Sequence, residues 1–123
     1  MCGIVSYLGN KNALPILLEG LQRLEYRGYD SAGIFIQNEK EENIIRVADK
    51  VKELKKQCEK EKLNSNYPFG MGHTRWATHG KPLEKNAHPH QSNNGQLVMI
   101  HNGIIENYEI LKTELLTRGY TFY

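Results

Sequence analysis

The chain opens with MCGIVSYLGN, Met1 to Asn10, and the fold turns on how this stretch is read. Gly3 to Leu8 is a short apolar run rich in β-branched residues and closed by Gly9-Asn10, which reads as a buried strand followed by a turn. Cys2 stands immediately before that strand. One reading makes it a small apolar residue of the core. The other makes it a nucleophile that comes to own the terminal amine, because methionine ahead of a residue as small as cysteine is normally trimmed. An α-amine titrates near ~8, so part of it is neutral at physiological pH and takes a thiol proton directly or through one water. Both readings fit the strand, and Cys2 alone does not separate them.

Outward from the turn, Asn12 reads as a helix N-cap, with Leu14, Leu17, Leu18, Leu21 and Leu24 at helical spacing and Pro15 tolerated in the first turn. Arg27-Gly28-Tyr29-Asp30 is expected to end that helix. Ile34 to Gln37 and Asn43 to Ala48 read as paired strands across the charged loop Asn38 to Glu42. Lys50 to Leu63 reads as a surface helix with Val51, Leu54 and Cys58 on its inner face and alternating charge outside. Cys58 is thereby a small buried apolar residue. After a polar break at Asn64 to Pro68, Phe69 to Ala77 reads as a strand. Thr78 to Asn94, rich in Gly, Pro, His and Asn, reads as a long irregular loop, of the kind that carries function. Leu97 to Ile100 is a continuous apolar strand running into His101-Asn102-Gly103. Asn107 then caps a last helix with Tyr108, Leu111 and Leu115 on one face and Gly119 as its stop. Strands and helices mixed without strict alternation predict an α/β or α+β layered domain.

Composition narrows the function classes. At 123 residues the chain makes at most one domain, and 39% hydrophobic with 24% charged residues is an ordinary soluble balance. A net charge of +2 without a basic block argues against a nucleic-acid or membrane-surface role. No apolar run reaches the length of a membrane span, and Ile4 to Leu8 is too short, and lacks a preceding basic residue, for a signal peptide. Two cysteines make no disulfide framework, so a reducing, cytoplasmic setting is expected, in which a free Cys2 thiol persists.

Four further stretches carry polar groups in chemically useful combinations. Gly72-His73-Thr74-Arg75-Trp76-Ala77-Thr78-His79-Gly80 delivers several handles from a strand end into a glycine-terminated loop. Arg75 there suits a bidentate grip on a carboxylate, and Trp76 suits closing a pocket, unless they are a surface arginine and a core tryptophan. Asn102 and the Gly103 N–H, just past a strand, suit an oxyanion hole, and equally an ordinary Asn-Gly turn. His73, His79, His88, His90 and His101 match no closed zinc spacing, so neutral histidines that brace the loop are expected and no metal. Arg23 to Gly33 packs charges, aromatics and glycines around a turn. It is either a capped turn with a local ion pair or a wall of the site, with Arg27 raising thiolate character at Cys2.

Taken together, MCGIV, RLEYRGYDSAG at 23–33, GHTRWATHGKP at 72–82, NAHPH at 86–90 and HNGIIENY at 101–108 resemble the glutaminase domain of class II glutamine amidotransferases. The combination of RLEYRGYDSAG with TRWATHG resembles the branch that aminates fructose 6-phosphate. The resemblance implies an α+β, N-terminal-nucleophile (Ntn) fold, a four-layer αββα sandwich, needing no cofactor. It implies that Cys2 attacks the L-glutamine side-chain amide to give a γ-glutamyl thioester and ammonia. It further implies that Asn102 and Gly103 form the oxyanion hole and that Arg75 holds the glutamine α-carboxylate. Trp76, Thr78 and His79 would belong to the closing loop, Arg27 would lie close to the nucleophile, and His88 and His101 would line the region. In such enzymes ammonia passes to fructose 6-phosphate on sugar-isomerase domains, giving glucosamine 6-phosphate, and the full enzyme is expected to be a homodimer. Ser6 stands where the family usually has glycine. Residues 1–123 are expected to form the N-terminal portion of the glutaminase domain, ending before the aspartate that binds the glutamine amine and without the isomerase domains. A catalytically silent interaction module, or the glutaminase part of another class II amidotransferase, is the alternative.

Overall fold

Two amphipathic helices seated on one antiparallel sheet account for the core. The computed structural model describes residues 2–25, 30–63, 65–75 and 84–122. In chain order the elements are β1 (Gly3–Leu8), α1 (Ala13–Leu24), β2 (Ser31–Gln37), β3 (Glu42–Val47), α2 (Val51–Lys60), β4 (Phe69–Arg75), a 3₁₀ turn (Glu84–Asn86), β5 (His90–Gln91), β6 (Val98–Met99) and α3 (Tyr108–Thr117). The sheet runs β1-β4-β2-β3, each neighbour antiparallel, and β5 pairs separately with β6. The class is α+β, as expected. The described residues supply a helix layer on a sheet, together with the β5–β6 pair.

Period-two alternation sorts the sheet residues between two faces. Register pairs Val5 with Gly72 and Ile34 with Gly72, so these face the same side as Ile36 and Ile45. Ala13, Leu17 and Leu21 of α1 and Val51, Leu54 and Cys58 of α2 close over that side, and all are buried with Ile34, Ile36 and Ile45. Cys58 lies inside this cluster, where burial first and the nearby Glu61 second push its thiol up to about 11. That makes it a packing residue rather than a reactive one.

The helix ends are held by side chains from afar. Asn12 Oδ1 accepts from Leu14 N at 3.4 Å, as an N-cap should, and also from Tyr67 N at 3.2 Å, which fastens α1 to the approach of β4. Lys50, at the N-cap of α2, makes no side-chain cap bond. The Glu25 carboxylate, just past α1, accepts from Val51 N in its place. Glu25 thus ties the end of one helix to the start of the next, a long-range cap that local sequence does not reveal.

Three expectations need correction. The Gly3 to Leu8 strand is buried on one side only: Leu8 is 78% exposed on the face away from the helices. Leu97 to Ile100 yields only the two-residue strand Val98–Met99, with Leu97 71% exposed. Its partner β5 is itself two residues long, and no described element covers the pair, so apolarity there does not produce burial. Helix α3 forms after Asn107 and stops before Gly119 at φ +91°, but Asn107 makes no side-chain cap bond. No α3 residue is fully buried; Tyr108 and Leu111 are exposed and Leu115 is half-buried. The first helix ends at Leu24, and the expected terminator at Arg27 to Tyr29 lies outside the described residues, as do Trp76 and Ala77 of the expected strand and Thr78 to Leu83 of the long loop. Among the described residues no helix is long and apolar enough to cross a membrane.

Leu54→Ala empties a fully buried position between α2 and the sheet and is expected to cost about 2–5 kcal/mol of stability. Glu25→Ala removes only the α2 cap and is expected to cost about 0.5–2 kcal/mol. Denaturant unfolding of the two variants beside the parent checks both sizes and their order.

Candidate active site

The polar residues singled out in the sequence gather at one end of the sheet, where β1 and β2 begin and β4 ends. Gly3 pairs with Thr74, and Ser31 pairs with Arg75. One residue beyond Gly3, Cys2 therefore stands level with Arg75, and β4 carries Arg75 between the starts of its two neighbours. Thr74 points to the helix side, where its Oγ1 accepts from Gly3 N at 3.2 Å and pins the start of β1. His73 and Arg75, two residues apart, lie on the opposite side.

Asn102 reaches this corner from 100 residues along the chain, donating from Nδ2 to the Cys2 carbonyl at 3.0 Å. Its Oδ1 lies 2.7 Å from His73 Nε2. Gly103 follows at φ +150°, a left-handed conformation that favours glycine, and a Cβ there would crowd the His101 ring at 3.2 Å. Arg75 is half-buried and donates from one guanidinium nitrogen to the Asn86 carbonyl at 3.2 Å, which orients the fork. Cys2 is half-buried and carries a free thiol.

The histidines form a stack rather than a ligand set. The His73 and His88 rings lie 4.2 Å apart, and His88 and His90 lie 4.3 Å apart. His88 Nδ1 accepts from His101 N at 3.4 Å. The stack sits hard against the sheet because Gly33, level with His73, has no Cβ; any Cβ there would run into the His88 carbonyl. Burial holds His73 and His90 below the ordinary imidazole value, and burial first pushes His88 down to about 3, where a charge on it would also be disfavoured by the nearby His73, His90, the Arg75 guanidinium and His101. Three neutral rings beside one permanent guanidinium suit a carboxylate ligand better than a metal. Among the described residues no group of three or more His, Cys, Asp or Glu side chains could hold a metal ion.

The fold thus brings Cys2, Arg75, His88, His101, Asn102 and Gly103 into one corner, while Arg27, Trp76, Thr78 and His79 lie outside the described residues. Two residues not singled out for the site also belong to it. His73 carries the Asn102 bond, and its place two residues before Arg75 on a strand is the signal that both face one side. Ser31, level with Arg75, is fully buried with its Oγ unpartnered among the described residues.

No protein-family model matches the chain. Two solved structures share its fold over its whole length. Glutamine phosphoribosylpyrophosphate amidotransferase from B. subtilis, complexed with ADP and GMP, matches at TM-score 0.80 and 28% identity over 26% of that chain. The allosteric regulatory enzyme of purine biosynthesis matches at TM-score 0.83 and 27% identity, again over 26%. The fold is therefore that of the Ntn-type amidotransferases. By sequence the chain is related to the N-terminal part of the glutamine–fructose-6-phosphate aminotransferases, a glutaminase-type amidotransferase domain. The enzyme of Caldanaerobacter subterraneus subsp. tengcongensis is 53% identical over 122 residues, which is 99% of this chain and 20% of the relative. That of Staphylococcus aureus is 51% identical with the same coverage. That of Synechocystis sp. is 52% identical over 124 residues, 100% of this chain and 19% of the relative. The chain spans about a fifth of the length of the curated relatives it matches.

The stacked histidines set an acid limit on the fold. The unfolded chain protonates His88 near its ordinary 6.5, whereas the folded chain does so only near 3. Between those values the unfolded state binds more protons, so stability is fully present above 6.5 and falls as pH drops toward 3. His88→Asn, which keeps an acceptor for His101 N–H, is expected to flatten this slope, leaving the part due to His73 and His90. Denaturant unfolding across that pH range measures the slope in both proteins.

Proposed function

We propose that this chain is the front portion of a glutaminase domain, with Cys2 as the nucleophile and L-glutamine as substrate. The observation that carries the reading is the Asn102 amide bonded to the Cys2 carbonyl on a fold of this class. With Met1 removed, the Cys2 amine takes the thiol proton and Sγ attacks the glutamine γ-carbonyl carbon. One Asn102 Nδ2 hydrogen is engaged by the Cys2 carbonyl. The second, with the Gly103 N–H, is the donor for the oxyanion as the carbonyl becomes tetrahedral. Ammonia leaves with the proton held by the amine, a γ-glutamyl thioester remains on Cys2, and water hydrolyses it to glutamate.

Arg75 receives the substrate α-carboxylate, its fork already oriented by Asn86 and flanked by neutral histidines that do not compete for the anion. Trp76, Thr78 and His79 close over the substrate, Arg27 favours the thiolate, and His88 and His101 line the pocket. The relatives are named as isomerizing glutamine–fructose-6-phosphate aminotransferases, which supports the next step of this reading: the ammonia serves fructose 6-phosphate. The sugar-isomerase domains and glucosamine 6-phosphate as product are part of the same proposal. The same reading includes a cytosolic location, a homodimeric full enzyme and no cofactor.

Cys2→Ala is expected to abolish glutamine hydrolysis, and a form that retains Met1 is expected to be equally inactive. Arg75→Lys is expected to raise KM about tenfold or more, since lysine replaces a two-bond fork with a point charge. Intact-mass analysis after treatment with a diazoketone analogue of glutamine reports both Met1 removal and a single adduct on Cys2. Turnover by Cys2→Ala at the parent rate would sink the assignment of Cys2 as nucleophile, whereas a retained Met1 or a Cys2 that resists the analogue favours a catalytically silent module.

A further inference from the structure

We infer that His73 is a positioning residue for the oxyanion donor: its Nε2–H holds the Asn102 amide in the one orientation that turns the NH₂ toward Cys2. The inference rests on the glutamine-hydrolysing reading above and deepens it at the same site.

One atom at this corner has a single possible role. The Cys2 carbonyl oxygen can only accept, so the Asn102 atom 3.0 Å from it is the amide nitrogen. The other terminal atom of that amide is then oxygen, 2.7 Å from His73 Nε2. Oxygen too can only accept, so Nε2 carries the hydrogen. The flipped amide would set two oxygens against each other at Cys2. A neutral His73 protonated on Nε2 has a bare Nδ1, and that atom is buried with no hydrogen-bond partner among the described residues. An unsatisfied buried acceptor is destabilising, and a purely structural histidine avoids it; here it is the consequence of keeping Nε2–H on Asn102.

Asn102 is exposed, and an exposed asparagine next to a glycine turns freely unless something grips it. His73 is a rigid grip. It is 1% exposed, lies mid-sheet with Ile4 on one side and Gly33 on the other, and stacks on His88. His88 accepts the main-chain N–H of His101, the residue before Asn102. Two stacked rings therefore hold two consecutive residues, one by its backbone and one by its side chain. Burial above all favours the neutral ring, against the pull of the Asn102 bond the other way, and His90 and Arg75 add to burial.

The test uses the protein with its natural flanking sequence and four variants: H73L, H73Q, N102A and the double variant that combines H73L with N102A. H73L is expected to lower kcat about 100-fold, the scale of losing one oxyanion donor, with KM changed less than about threefold. H73Q, whose amide NH₂ donates from near the Nε2 position, is expected to recover most of that loss. The double variant is expected to be no slower than N102A, because both changes act through one amide. Losses that multiply in the double variant, or an H73Q as impaired as H73L, overturn the inference. Nitrogen NMR of the wild-type imidazoles decides it without any variant: hydrogen on Nε2 of His73 supports it, and hydrogen on Nδ1 overturns it. A wild type that hydrolyses no glutamine removes the parent reading instead, while the NMR result still judges the hydrogen-bond arrangement.

Discussion

Strand β4 lies between β1 and β2, and that insertion is the constraint on which the rest depends. It pairs Gly3 with Thr74 on one side and Ser31 with Arg75 on the other, so three strand ends meet at one corner. Alternation along β4 then divides its labour. Thr74 faces the helices and fixes the start of β1 through Gly3 N, while His73 and Arg75 face the site. Gly70 and Gly72 leave room on the helix side for Leu17 and Leu21 to lie directly on the strand, which brings α1 close enough to seal the core. A shift of one residue in this register would exchange the two faces and send His73 and Arg75 into the apolar layer.

The electrostatic character of the corner follows from the same packing. Gly33 admits the His88 segment against the sheet, and burial then keeps the stacked imidazoles neutral. Neutrality matters twice. It leaves His88 Nδ1 able to accept from His101 N, and it leaves Arg75 as a positive group whose stacked neighbours carry no charge. Protonated rings at stacking distance would repel one another and Arg75, and would loosen the turn that carries Asn102 and Gly103.

Much of the fold was legible because periodicity and burial agree where a second layer exists. Leu17 and Leu21, and Val51, Leu54 and Cys58, are buried as their spacing suggests, because a sheet lies beneath each helix. The same kind of pattern misled at Leu97 to Ile100 and along α3, where no described element covers the apolar residues. Apolarity states what a residue would bury, and a partner surface decides whether it does. At the site, Cys2, Arg75, Asn102 and Gly103 stood out by residue type and motif. Ser31 did not, and His73 stood out only as a bracing histidine, since the importance of both lies in which atoms they face.

By itself the sequence determined the local elements, the choice of residue types with useful chemistry and the kinship with glutaminase-type amidotransferases. Each of these is written in neighbouring residues or in motifs. Only the tertiary structure decided that Asn102 meets Cys2, that Glu25 caps α2, and that His73 needs its hydrogen on Nε2. These are contacts between residues 26 to 100 positions apart, and hydrogen bonding depends on the distance and role of atoms, which no local pattern encodes.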